Sequence, residues 1–283
     1  MKKQYDESTH NRNFDTLKYV YPVISRRSEG LSLGVNLNPD KICNFGCIYC
    51  QVNRNQMSKH IVDLEILEQE LILMLKMIED GSLFTHPRFK DTEKDKLVFK
   101  DIAFAGDGEP SVSKYLLESL QIIEKASKKY TIPKVVIISN STGFQRPKTI
   151  QALNLLCQLN GEIWAKIDAG SQSYFEKINQ YNISLDKIID NIKTIPPKIK
   201  LQIQTCFMKV HGQVADTQEI LDYKARIESV LSGREIDTIQ IYTIARDPAQ
   251  SYVDAISIQD LKTMSEPLNS LNVQIKYYGG FAN

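Results

Sequence analysis

No stretch of this sequence approaches the roughly 20 consecutive apolar residues of a membrane-spanning helix, and the opening segment MKKQYDESTHNRN lacks the apolar core of a secretory leader. These absences predict a cytoplasmic protein with no membrane partner. Charge of one sign is missing too. Lys and Arg number 35 against 34 Asp and Glu, a formal net charge of +1, so no global field gathers nucleic acid or anionic lipid, although a local basic stripe stays open. Cysteine is scarce and odd in number, five in all, with three of them between Cys43 and Cys50. That excludes a secreted disulfide framework and points to thiols kept reduced as ligands. Internal repeats, low-complexity tracts and Gly/Ser or Pro linkers are lacking as well. A single domain over 1–283 is therefore expected, with an N-terminal extension at 1–30, a core at 31–245 and a C-terminal helix and strand at 246–283.

What is present is an alternation of short apolar runs with helical patterns. Leu31, Leu33, Val35 and Leu37 alternate as in a strand, and Leu64, Leu67, Leu71, Met74 and Ile78 recur at helical spacing. Phe84 to Lys96 is charged, carries Pro87, and is expected to be a surface insertion. Then come LVFKDIAFA before Val112–Lys128, KVVIISN before Lys148–Leu159, and GEIWAKIDA before Tyr174–Lys193. KLQIQTCFM precedes Thr217–Leu231, DTIQIYTIA precedes Ser257–Leu271, and NVQIKYY closes the chain. Strands alternating with helices imply parallel βαβ units. Six or seven of them fit an α/β fold of the partial (β/α)6 TIM-like barrel class, with ligand-carrying loops at the carboxyl ends of the strands.

Cys43-Asn-Phe-Gly-Cys47-Ile-Tyr49-Cys50 follows the first of these strands directly. A structural zinc site wants four protein ligands. The remaining cysteines, Cys157 and Cys206, lie far along the chain in apolar runs and are expected to pack as small hydrophobes. Three thiolates on a four-iron cluster leave one iron open for chemistry. A zinc knob and a cluster used only for electron transfer are the competing non-catalytic readings.

The C-x3-C-x2-C spacing, with aromatic Tyr49 before the third cysteine, resembles the signature of the radical S-adenosylmethionine (SAM) superfamily. The resemblance implies a partial barrel of the radical SAM type, a 4Fe-4S cluster on Cys43, Cys47 and Cys50, and SAM as cofactor. In that family the open iron chelates the amino and carboxylate groups of SAM, and the cluster's electron yields methionine and a 5'-deoxyadenosyl radical that takes hydrogen from a substrate. A reductant such as flavodoxin or ferredoxin is implied as partner.

The loops after the other strands extend the pattern. In AFAGDGEPS, Gly106 and Gly108 allow close backbone approach and Glu109 can accept from an ammonium group. The string resembles the superfamily's Gly-Gly-Glu motif for the SAM amino group, with Asp107 at the place of the second glycine. Ser139 and Asn140 suit the ribose or carboxylate of SAM, or an ordinary turn. Lys166 and Asp168 alternate with apolar neighbours and share one face, so they form a structural ion pair or meet a ligand bearing both charges. Gln204 lines the site or is a satisfied core amide. Tyr242 and Ala245 offer a surface for adenine, while Arg246 reaches an anion or pairs with Asp247. Arg26 and Arg27 before the first strand are expected either to clamp a substrate phosphate or carboxylate or to be solvated, and His211 is expected to be a surface residue or a proton donor. Trp164 and Tyr277–Gly280 are expected in packing and a C-terminal cap.

The strings LGVNLNPDKICNFGCIYCQVNR, FAGDGEPS, WAKIDAGSQSYFEKIN and IQIYTIARDP look like the branch related to wyosine synthase, which builds a tricyclic base on tRNA. No cysteine lies upstream of Cys43 to hold that enzyme's second cluster. A tRNA-modifying role and an activase of a glycyl radical enzyme are the two enzyme readings. The substrate, small molecule or RNA, and any catalytic side chain are not fixed by the sequence.

Overall fold

The computed structural model describes residues 14–52, 54, 61–246, 248 and 250–280. The opening segment MKKQYDESTHNRN and the proposed Asp247 partner of Arg246 lie outside the described residues. Hydrogen-bonded strands follow the order β1-β2-β3-β4-β5-β6-β8-β10 in an eight-stranded sheet, with β7 and β9 paired separately. The chain divides into two compact units: Met1–Ile42, Met57–Ile138 and Arg146–Glu162 form one, and Cys43–Gln56, Ser139–Gln145 and Ile163–Asn283 form the other.

In the first unit, β1 (Val20–Ser25) runs antiparallel to β2 (Gly30–Val35), and β2, β3 (Phe99–Phe104) and β4 (Val135–Ser139) are paired in parallel. The sequence placed the first strand at Leu31 and missed β1, which holds Pro22. Proline lacks the ladder N–H, but β1 stands at the end of the sheet order, where that loss is tolerated. Ser25 to Glu29 is the hairpin turn: Ser28 N donates to Ser25 Oγ and Glu29 takes a left-handed φ of 56°. Arg26 and Arg27 sit in that turn.

Helix α1 (Leu64–Glu79) starts at Asp63, whose carboxylate accepts from Glu65 N and Ile66 N. It buries Leu67, Leu71, Met74 and Leu75, each stabilising the fold by about 1.5–3 kcal/mol. Its buried Glu70 accepts from the backbone N–H groups of Lys18, Tyr19 and Val20 at 2.7, 2.8 and 3.0 Å, which fixes the start of β1. The short helix α2 (Ser82–Thr85) opens the charged insertion, which is largely exposed but anchored by buried Phe89. Helices α3 (Leu116–Ser127) and α4 (Pro147–Leu156) complete this unit.

Strand β5 (Gly161–Lys166) crosses the division between the units. In the second unit, β6 (Lys200–Cys206), β8 (Thr238–Tyr242) and β10 (Gln274–Tyr278) are parallel, and β7 (Lys209–Val210) pairs antiparallel with β9 (Val253–Asp254). Helix α7 (Thr217–Leu231) spans the expected residues. The single helix expected over Tyr174–Lys193 is two, α5 (Gln172–Asn179) and α6 (Leu185–Lys193). Gln180 turns left-handed at φ 47° and stops α5 before the apolar spacing resumes. The expected Ser257–Leu271 helix ends earlier, as α8 (Ile258–Met264), because Pro267 forces a 3-10 turn.

Candidate cluster and cosubstrate site

The cysteine loop belongs to the second unit and is held there from both faces. Gly46 N donates to Asn179 O and Ile48 N to Ile178 O, each at 3.0 Å, so the last turn of α5 supports the backbone on either side of Cys47. Phe45 is buried against the rings of Phe175 and Tyr181, with centroids at 5.5 and 5.1 Å. Ile48 joins an apolar cluster with Ile178, Cys206, Met208, Val210, Ile244 and Val253. With these two side chains turned inward, Cys43, Cys47 and Cys50 stay half-buried.

Asn44 ties the loop to the segment after β4. Its Nδ2 donates to Thr142 Oγ1 at 2.7 Å, Asn140 Nδ2 donates to Asn44 Oδ1 at 2.9 Å, and Thr142 Oγ1 donates to Asn140 Oδ1 at 2.7 Å. The ring closes on itself. Asn140, expected at a ligand, is thus engaged in holding the cysteine loop, and buried Ser139 accepts from Ser141 N.

The three sulfurs meet different neighbours. Asn179 Nδ2 donates to Cys47 Sγ at 3.3 Å, Arg54 Nη2 to Cys50 Sγ at 3.6 Å, and Cys43 Sγ lies 3.8 Å from Asn44 Oδ1. Burial and the Asp168 charge push the Cys47 thiol up to about 12, against the pull of Asn179. Iron bound there would supply the counter-charge that turns this thiol into a thiolate ligand. Among the described residues no three His, Cys, Asp or Glu side chains gather around a single metal ion. A four-iron cluster carries each cysteine on a different iron, so its thiolates need not converge on one point. The donor set, three thiols in one loop with N–H donors on two of them, fits the cluster.

Lys166, at the end of β5, lies 3.3 Å from Asp168, with side-chain exposures of 18% and 1%. The ion-pair alternative of the sequence is therefore formed. Asp168 Oδ1 also accepts from Cys206 N at 2.9 Å, and Oδ2 from Tyr49 OH at 2.6 Å and Asn179 Nδ2 at 3.1 Å. Lys166 donates to Tyr242 OH at 2.5 Å and stands 5.0 Å from the ring centroids of both Tyr49 and Tyr242. Burial pulls its ammonium down, but Asp168 and Tyr242 outweigh that and hold it above the usual lysine range. The Tyr49 phenol is raised by burial first and Asp168 second.

Gln204 is fully buried and donates to Gln240 Oε1 at 2.8 Å, while its own Oε1 has no hydrogen-bond partner among the described residues. Half-buried Ala245 and Arg246 follow β8. Arg246 Nη1 donates to Gln51 Oε1 at 3.1 Å, next to Cys50. His211 is exposed at a left-handed turn and stacks on Tyr252 at 4.5 Å. Trp164 and Cys206 are buried in the core, whereas Cys157 is only half-buried at the end of α4.

The GDGE loop lies in the first unit, after β3. A Cβ at Gly106 would come within 2.3 Å of Asn36 Oδ1, and one at Gly108 within 2.2 Å of Ile42 O. Asn36 Nδ2 donates to Asp107 Oδ2 at 2.7 Å, and Asp107 N to Asn36 Oδ1 at 3.2 Å. The departure from Gly-Gly-Glu is thus used: Asp107 fastens the loop to Asn36. Glu109 is buried and accepts from Ser111 N at 2.9 Å.

Asn179 and Asn44 were not singled out from the sequence. Asn44 sits inside the cysteine motif, where its position was a signal. Asn179 ends a helix that periodicity had run through, and nothing local marked it.

No protein-family profile matches the chain. Among curated proteins it is 26% identical over 267 residues to UPF0026 protein MJ1312 of Methanocaldococcus jannaschii, covering 92% of this chain and 74% of that one. Among solved structures it is similar to Streptococcus suis SuiB bound to S-adenosylmethionine, with a TM-score of 0.60 at 13% identity over 90% of this chain. The chain spans about half of SuiB, 52% of its length. It is also similar to a spore photoproduct lyase variant, with a TM-score of 0.56 at 10% identity, covering 94% of this chain and 81% of that one. Likeness at such identity shows the fold, which is the α/β partial-barrel fold of radical SAM enzymes. Among the described residues no helix is long and apolar enough to cross a membrane.

Proposed function

We propose, from the radical SAM fold of this chain, that it is a radical SAM enzyme whose Cys43, Cys47 and Cys50 hold a 4Fe-4S cluster and whose cosubstrate is S-adenosylmethionine. The observation that carries this reading is one connected path of side chains in the second unit. It runs from Cys47 through Asn179 and Asp168 to Lys166 and Tyr242. When bound, the cluster supplies the electron that splits SAM into methionine and a 5'-deoxyadenosyl radical, which takes a hydrogen atom from the substrate.

The chain's own residues do the rest. Asn179 and Arg54 direct N–H groups at two of the sulfurs, Cys47 Sγ and Cys50 Sγ. Lys166, still partly exposed, offers its ammonium to the carboxylate of SAM, and the Tyr49 and Tyr242 rings flanking it keep water away and strengthen that attraction. Asp168, with both oxygens engaged, orients Lys166 and Tyr49. Glu109 is proposed, on the family resemblance, to accept from the SAM ammonium. The substrate and the hydrogen donor follow from deuterium transfer out of candidate pools into 5'-deoxyadenosine.

Anaerobically reconstituted protein, given SAM and dithionite, is expected to release 5'-deoxyadenosine and methionine. Changing Cys43, Cys47 and Cys50 together to Ala should abolish both cluster and cleavage, whereas Cys157→Ala should retain them. Undiminished cleavage by the triple variant would sink the reading. Lys166→Met and Glu109→Gln should weaken SAM binding about tenfold or more, the loss of one strong polar contact, with iron content unchanged.

A further inference from the structure

We infer that Asn179 is a positioning residue that sets the reduction potential of the cluster and links it to the Lys166–Asp168 pair. The inference rests on the reading of the cysteine loop as a cluster site. Three observations carry it. The backbone of Ile178 and Asn179 supports Gly46 and Ile48 on either side of Cys47, so the asparagine cannot move without the loop. One amide nitrogen then serves two acceptors, Cys47 Sγ at 3.3 Å and Asp168 Oδ2 at 3.1 Å. The residue is 2% exposed, and its Oδ1 has no hydrogen-bond partner among the described residues.

Turning the amide over would face Oδ1 against a sulfur and a carboxylate, both acceptors, so electrostatics fix the donor orientation. An amide kept with a buried, unpartnered oxygen is held there for its two N–H bonds. A hydrogen bond to a cluster thiolate stabilises the more negative, reduced cluster more than the oxidised one and raises the potential. Asp168 accepts the other hydrogen and also holds Lys166. A carboxylate arriving at Lys166 therefore alters the pull on Asn179, and through it the bond to Cys47.

The test is a redox titration of the anaerobically reconstituted full chain, followed by electron paramagnetic resonance, with iron content and melting temperature measured alongside. Asn179→Ala should keep native iron content while its equilibrium constant for reduction falls about tenfold, about 59 mV for a one-electron couple. Asn179→Asp should fall further, because a carboxylate replaces the donor. Adding SAM should shift the potential of the native protein more than that of either variant. A native midpoint in Asn179→Ala would overturn the inference while leaving the enzyme reading intact. If the variants fail to assemble a cluster, the native protein labelled with 15N in asparagine side chains decides. Pulsed resonance should then detect a nitrogen coupled to the reduced cluster, and its absence would overturn the inference. Failure of the native protein to bind iron would instead bring down the proposed function.

Discussion

Asp168 in the second unit and Asp101 in the first are equally shut off from solvent, 2% and 0% exposed, yet they are held differently. Asp168 receives Tyr49, Asn179, the Cys206 backbone N–H and the Lys166 ammonium. Asp101 takes a 2.5 Å hydrogen bond from Ser32 on Oδ1, while its Oδ2 has no partner among the described residues. Burial accordingly pushes the Asp101 carboxyl up, only partly offset by the Ser32 and Ser28 hydroxyls and the charge of Lys134. Burial raises a carboxyl whose second oxygen receives no donor, as at Asp101, because donors do not fully replace the lost water. The Asp168 arrangement organises neighbouring side chains; that of Asp101 is a local burden on the core.

The largest test of that contrast is Asp168→Ala. It removes the counter-charge of Lys166 and strands the Tyr49 hydroxyl, so it is expected to cost about 3–5 kcal/mol in urea unfolding at neutral pH, nearer the lower figure because Lys166 is partly exposed. A loss under about 1 kcal/mol would mean that Asp168 organises no more than Asp101 does. Tyr49→Phe is the finer cut. It deletes one hydroxyl bonded to a charged acceptor but keeps the ring beside Lys166, and should cost about 1.5–3 kcal/mol. If it costs nothing, Asp168 is satisfied by its other three donors and the convergence is redundant.

The sequence shows some of this arrangement and conceals the rest for a physical reason. Lys166 and Asp168 could be placed on one face because strand alternation is local, and Gly106 and Gly108 could be marked because close backbone approach demands the absence of a side chain. The alternation of strands and helices likewise gave the α/β class, since periodicity is a property of neighbouring residues. What stayed hidden is set by residues distant in sequence. Asn179 reaches Cys47 across 132 positions, and Asn140 reaches Asn44 across 96. No local pattern announces such pairs. The missed strand β1 and the split of α5 from α6 fail differently: β1 holds Pro22, which an edge position permits, and apolar spacing ran on through a left-handed break at Gln180. In both places tertiary context overrode a sound local preference.

The smallest expected effect has the opposite sign and probes the other aspartate. Because the folded state raises the Asp101 carboxyl above its unfolded value, native stability from this group is fully present below the unfolded value and lost as pH rises through the folded one. Asp101→Asn keeps an acceptor for Ser32 and has no proton to lose. Its melting temperature should match that of the native protein at the acid end, rise above it across that window, and stay above it by a constant margin at higher pH. Melting curves of both proteins over a pH series would show this. A variant less stable than native at neutral pH would mean that the ionised Asp101 is better held than its hydroxyl donors suggest, and the contrast with Asp168 would fall.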